Sequence, residues 1–123
     1  MDFKFVHNNL NVFNLDKSLD FYDKALGLKE VRRINSTDGS FIIVYLSDNQ
    51  TSHRLELTWL RDKTTPYDLG DNEIHIALTT TEFEQAHQHH QSMNCICFEN
   101  EAMGIYFIED PDGYWVEILP EKK

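Results

Sequence analysis

Two short patterns in this 123-residue chain carry side chains able to do chemistry. His7-x-x-Leu10 and Leu55-Glu56-Leu57 lie in the first half, and His75-x-x-Leu78 and Val116-Glu117-Ile118 in the second. Each half offers one imidazole and one carboxylate. Brought to one point, His7, Glu56, His75 and Glu117 would form a ligand set for a divalent transition metal. Neutral imidazoles suit Ni²⁺, Co²⁺ or Zn²⁺, and two carboxylates balance the charge of the ion. Mg²⁺ and Ca²⁺ would ask for more oxygens. An octahedral ion held this way keeps positions open for a substrate with two neighbouring oxygens. That geometry favours Ni²⁺ or Co²⁺ over Zn²⁺, which more often closes at four ligands.

Side chains alternate along a strand, so a Glu between two apolar residues points away from the face those residues bury. Glu56 and Glu117 both sit in this setting. Taken singly, each could be a solvated residue on an exposed sheet face. A His in the first strand and a Glu in the last strand of both halves is a repeated arrangement, and the repetition favours a metal centre.

The elements that must position these residues follow from pattern and punctuation. A strand is expected over 3–13 and a helix over 16–26, with Leu19, Tyr22 and Leu26 at helical spacing and Gly27 ending it. Strands over 29–34, 41–46 and 53–60 complete a β-α-β-β-β order. The stretch 61–71, RDKTTPYDLGD, holds Pro66 and Gly70 without periodicity and reads as a linker between module one, 1–60, and module two, 72–123. The pattern then restarts with a strand over 73–80. Thr81 and Glu84 have capping-box spacing ahead of a helix with Phe83, Ala86, His90 and Met93 on one face. Strands over 95–98, 105–108 and 114–119 follow. The chain therefore reads as one α+β domain of two paired modules.

Composition narrows the classes of function. Eleven Lys and Arg against 21 Asp and Glu give a formal charge of −10, which repels nucleic acid and anionic lipid. No apolar run approaches the length of a membrane span and no leader pattern opens the chain, so a soluble, cytoplasmic protein is expected. Cys95 and Cys97 alternate in a short apolar run and read as small strand hydrophobes. His87, His89 and His90, in AHQHHQ, could suggest a second metal site. With no carboxylate or thiol on that face to complete it, they read as helix surface. Trp115, two residues before Glu117, shares its strand face and is a candidate to line a cavity.

On these residues the chain resembles the glyoxalase I (lactoylglutathione lyase) group of the vicinal oxygen chelate superfamily. The likeness runs the whole length. It rests on HNNLNVFNLDKSLDFYDKALGLKEV, on LELTW around Glu56, on IHIAL around His75 and on the ending FIEDPDGYWVEILP. The resemblance implies paired βαβββ modules curled into a half-open eight-stranded barrel, and a homodimer. It implies isomerisation of the hemithioacetal of methylglyoxal and a thiol such as glutathione to an S-D-lactoylthioester, a detoxification of methylglyoxal. The metal, chelating the hydroxyl and carbonyl oxygens of the substrate, would acidify the carbon-bound proton. Glu117 would be the base that moves this proton, Glu56 able to serve the opposite face, and His7 and His75 fixed ligands.

Two positions depart from the pattern. Glutathione-using relatives carry an Arg four residues after the first His and an Asn four residues after the first Glu; here those places hold Asn11 and Leu60. Loss of a charge-assisted grip on a carboxylate costs about 1.5–3 kcal/mol, roughly ten- to a hundredfold in affinity. Arg54 or Arg61 could substitute, or the thiol could differ. The same scaffold hosts epimerases, thiol transferases, dioxygenases and metal-free resistance proteins. A ring-cleaving dioxygenase would present two His and a single Glu to iron, and a sequestering protein would lack the full set.

Overall fold

The computed structural model describes residues 1–122. Its elements are β1 (His7–Asn11), α1 (Leu15–Leu26), β2 (Lys29–Asn35), β3 (Phe41–Ser47), β4 (Arg54–Leu60), β5 (His75–Thr80), α2 (Phe83–Ser92), β6 (Ile96–Asn100), β7 (Ile105–Glu109) and β8 (Trp115–Pro120). The chain divides into two compact units, Met1–Tyr67 and Asp68–Lys123. Both run β-α-β-β-β, the α+β arrangement expected. Among the described residues no helix is long and apolar enough to cross a membrane.

In the first unit the strand order is β1-β4-β3-β2, and in the second β5-β8-β7-β6. The first and last strand of each unit pair in parallel, and the other neighbours are antiparallel. The helix supplies the crossover that the return to a parallel edge strand requires. Leu55 and Leu57 of β4 and Val44 and Leu46 of β3 are buried. So are Val116 and Ile118 of β8 and Tyr106 and Ile108 of β7. Burying a side chain of this size contributes about 1.5–3 kcal/mol, so the alternation fixes which face turns to the helix and which remains open.

Helix α1 forms for local reasons. Asn14 caps it, its Oδ1 accepting from the Lys17 N–H at 3.1 Å, and Asp16 lies in the positive first turn. Leu15, Ser18, Tyr22 and Ala25 make the buried stripe, and Gly27 closes the helix at φ 66°.

Several expectations are corrected. Strand β1 is shorter than 3–13, because Phe3 and Phe5 stand in solvent. The Thr81–Glu84 capping box does not form: α2 begins at Phe83 with Glu82 at the cap position and no side-chain cap bond there, while Thr80 Oγ1 accepts from the Glu82 N–H. His90 is buried, 2% exposed, and its Nδ1 lies 2.8 Å from the Tyr106 hydroxyl. His87 is paired with Glu99 of β6, so that helix face does meet a carboxylate.

Candidate metal centre

In the first unit the parallel register sets His7 opposite Arg54 and Asn9 opposite Glu56. His7 and Glu56 are therefore diagonal neighbours on one sheet face, with Nε2 to Oε2 at 3.7 Å. The second unit repeats this placement. His75 is opposite Trp115 and Ala77 opposite Glu117, and His75 Nε2 lies 3.4 Å from Glu117 Oε1. Both carboxylates are largely covered, at 14% and 16% exposure, whereas the imidazoles are more open.

These separations exceed a good N–H···O hydrogen bond. Bonds of about 2.1 Å place adjacent donors of one ion about 3.0–3.4 Å apart between right-angle and tetrahedral geometry; the His75–Glu117 pair falls at the upper end of this range and the His7–Glu56 pair, at 3.7 Å, lies just beyond it. The donor chemistry therefore fits a borderline divalent ion. The four predicted ligands appear as two pairs, one in each unit. Among the described residues no group of three His, Cys, Asp or Glu side chains is placed to hold a metal ion.

The antiparallel registers extend each site across its sheet. In the first unit one row reads Arg32, Tyr45, Glu56, Asn9. In the second the equivalent row reads Phe98, Phe107, Glu117, Ala77. Register shifts fall at matching places, between Glu30 and Arg32 in β2 and between Ile96 and Phe98 in β6. Each His also meets the ring one strand beyond its Glu edge-on, His7 against Tyr45 at 5.6 Å and His75 against Phe107 at 5.1 Å.

The two carboxylates differ in what holds them. A hydrogen bond to Glu56 pushes the Tyr45 phenol above its usual range. The Asn9 amide, with its nitrogen turned toward the carboxylate, donates to Glu56 Oε1 at 3.0 Å. Phe107 and Ala77, at the equivalent places beside Glu117, have no group that could do either.

Turns fix where the Glu strands begin. Asp110, buried, accepts through Oδ1 from the Asp112 and Tyr114 N–H groups, both at 2.9 Å. Gly113 takes φ 94°, and its carbonyl accepts from Asn72 Nδ2 at 2.9 Å just ahead of β5. In the first unit Asp48 does the same work, its Oδ1 accepting from the Gln50 and Thr51 N–H groups. Burial would raise the Asp48 carboxyl, but those N–H groups and the Thr51 hydroxyl hold it below the usual range. The role of Asp48 was not read from the sequence, although its place at the end of β3 mirrors that of Asp110 after β7.

Residues 4–118 match the model of the Glyoxalase/Bleomycin resistance protein/Dioxygenase superfamily. The chain belongs to this superfamily. Within the glyoxalase superfamily it is 36% identical to the lactoylglutathione lyase of Neisseria meningitidis serogroup A, over 97% of this chain and 91% of that one. It is 31% identical to the lactoylglutathione lyase of Escherichia coli O157:H7, over 97% and 93%. Among solved structures it is similar to the trypanothione-dependent glyoxalase I of Leishmania major, with TM-score 0.85 and 27% identity over 98% of this chain and 88% of that one. The vicinal oxygen chelate fold expected from the sequence is thus the fold observed, as two βαβββ units.

Other predicted residues settle as follows. Asn11 Nδ2 lies 3.5 Å from the Tyr67 hydroxyl, and Leu60 is partly exposed. Arg54 donates to the Thr51 and His53 carbonyls, and Arg61 to the Asp38 carbonyl and Asp62. Cys95 and Cys97 are free, half-buried thiols; Cys97 lies in β6, whereas Cys95, expected in a strand over 95–98, falls just ahead of it.

Proposed function

We propose that the protein is a metal-dependent glyoxalase I, a lactoylglutathione lyase-type enzyme that isomerises the hemithioacetal of methylglyoxal and a thiol, glutathione or another, to an S-D-lactoylthioester. The observation that carries this reading is the duplicated His–Glu diagonal on the open sheet faces, in a chain whose relatives are lactoylglutathione lyases. His7, Glu56, His75 and Glu117, in a homodimer, would hold one divalent transition metal, Ni²⁺ or Co²⁺ in preference to Zn²⁺. The ion, when bound, supplies Lewis-acid stabilisation of the charge that develops on the substrate's two oxygens.

The proton transfer belongs to the chain's own carboxylates. Glu117 takes the proton from the carbon that carries the sulfur and returns it to the adjacent carbonyl carbon. The hydroxyl proton of the first carbon passes to the neighbouring oxygen and the electron pair shifts, so that the first carbon becomes the thioester carbonyl and the second carries the hydroxyl. No redox partner enters. Glu117 is suited to this because Phe107 and Ala77 leave its carboxylate without the clamps that Tyr45 and Asn9 apply to Glu56. Glu56 serves chiefly as a ligand and is able to act on the opposite face. Tyr45 orients Glu56, as outer hydrogen bonds orient metal ligands generally. A cytoplasmic location accords with this detoxifying role.

The test is turnover. Chelated protein reloaded with Ni²⁺, Co²⁺ or Zn²⁺ and given methylglyoxal with glutathione, or with another low-molecular-weight thiol, is expected to generate thioester absorbance. Silence with every metal and thiol would overturn the reading.

A further inference from the structure

Within the first unit a row of amides runs from Glu56 along the open face of β1 to the linker. Asn9, with its nitrogen turned toward Glu56, lies 3.0 Å from the carboxylate Oε1, 3.2 Å from the Glu56 carbonyl and 2.6 Å from Thr58 Oγ1. Its oxygen then faces the Asn11 amide at 2.7 Å. An amide oxygen accepts and does not donate. Turned in the same sense as Asn9, the Asn11 amide gives its NH₂ to Asn9 and leaves its oxygen for the Tyr67 hydroxyl, 3.5 Å away. The Lys63 ammonium lies 4.7 Å from the centre of the Tyr67 ring and holds it in place. All of these residues belong to the unit Met1–Tyr67.

The row divides the work of the Glu56 carboxylate. Asn9 takes Oε1, while Oε2 is the oxygen that faces His7 Nε2 at 3.7 Å. A hydrogen bond to an ionised acceptor is roughly twice as strong as a neutral one, so the row is anchored at Glu56 and its long contact at Tyr67 is the weakest link. Asn9 is exposed and adds nothing to the core, which leaves the carboxylate as what its amide serves. In the second unit Ala77 and Thr79 stand where Asn9 and Asn11 stand in the first, and Ala77 has no polar group with which to begin such a row.

We propose that Asn9 is a positioning residue for Glu56, and that Asn11 and Tyr67 extend its hold to the linker, so that the seating of the linker on β1 tunes how tightly a metal ion is held. This inference rests on the metal site of the function proposed above. A free carboxylate has several rotamers to give up when it ligates an ion. Asn9 selects the one that turns Oε2 toward His7, and Tyr67 restricts the Asn11 amide on which Asn9 leans.

Co²⁺ binding to chelated protein tests it, read by competition with a chromogenic chelator and by the visible absorption of the bound ion. Asn9→Leu, close in shape and on the surface, is expected to weaken Co²⁺ binding about tenfold and to shift the absorption bands, with the urea midpoint of the metal-free protein unchanged. Tyr67→Phe removes only the hydroxyl. It is expected to weaken Co²⁺ binding about threefold on its own and not at all when added to Asn9→Leu. A merely structural role for Tyr67 would lower the urea midpoint and leave the affinity unmoved, and that result overturns the chain. Equal weakening by Tyr67→Phe with and without Asn9 overturns it too. Wild-type affinity and spectrum in Asn9→Leu overturn the positioning of Glu56. Absence of turnover, alongside a Co²⁺ affinity that depends on Asn9 and Tyr67, would overturn the enzymatic reading while supporting this one. Turnover with a Co²⁺ affinity indifferent to both residues would do the reverse, and no Co²⁺ binding by the wild type overturns both.

Discussion

Tyr45 and Glu56 are register partners on β3 and β4, and the phenol is hydrogen-bonded to the carboxylate. The equivalent partners in the second unit, Phe107 and Glu117, have no such bond to make. The duplicated His–Glu pair thereby has one anchored and one freer carboxylate. Tyr45→Phe is expected to weaken metal binding about tenfold, within the usual range for loss of an outer hydrogen bond to a ligand. Competition with a chromogenic chelator measures this, and an unchanged affinity would remove Tyr45 from the site.

Glu117→Gln is expected to lower kcat by at least about a hundredfold, the low end of what a positioned acid–base group supplies, while most metal binding remains. The amide keeps an oxygen for a metal and cannot accept the proton. Parallel activity and metal-content assays separate the two effects, and full activity would reassign the base.

Tyr106→Phe is expected to destabilise the second unit by about 1–3 kcal/mol, because it removes a hydrogen bond to an imidazole shut away from water. Urea unfolding reads the change. A midpoint within error of wild type would show that the His90–Tyr106 bond contributes nothing net.

Much of this was legible in the sequence, and what was missed has physical reasons. Leu-Glu-Leu and Val-Glu-Ile announce their own orientation, since alternation puts the Glu opposite the buried pair. Asn14 and Gly27 punctuate α1 by chemistry that operates within a few residues. Cross-strand partners are set by register instead, so nothing near Glu56 in the chain points to Tyr45. The register shifts in β2 and β6 also reverse the facing of later residues, and Phe98 therefore could not be placed beside Trp115 by counting. His90 shows two signals in conflict. Helical spacing put it with Phe83 and Ala86 on one face, while the lack of a carboxylate or thiol to complete a metal site there suggested surface. The spacing was right, because Tyr106 supplies the polar partner that makes burial tolerable.

The thiols give a pH signature. Burial, chiefly, pushes Cys97 up to about 11, and it raises Cys95 as well. Alkylation by iodoacetamide at pH 8 is expected to be much slower in the native protein than in urea. The sign for stability follows. The Cys97 contribution is fully present below the ordinary thiol range and is lost as pH rises toward 11, where the unfolded chain ionises first. Equal labelling rates in the two states would contradict the burial of these residues.

The central claim is that His7, Glu56, His75 and Glu117 serve one metal ion, and metal stoichiometry tests it most directly. Elemental analysis of reloaded protein is expected to give about one ion per chain, with His7→Ala and His75→Ala each losing essentially all of it. Two ions per chain in wild type, with one retained after either substitution, would show that the pairs bind separately and would contradict the account.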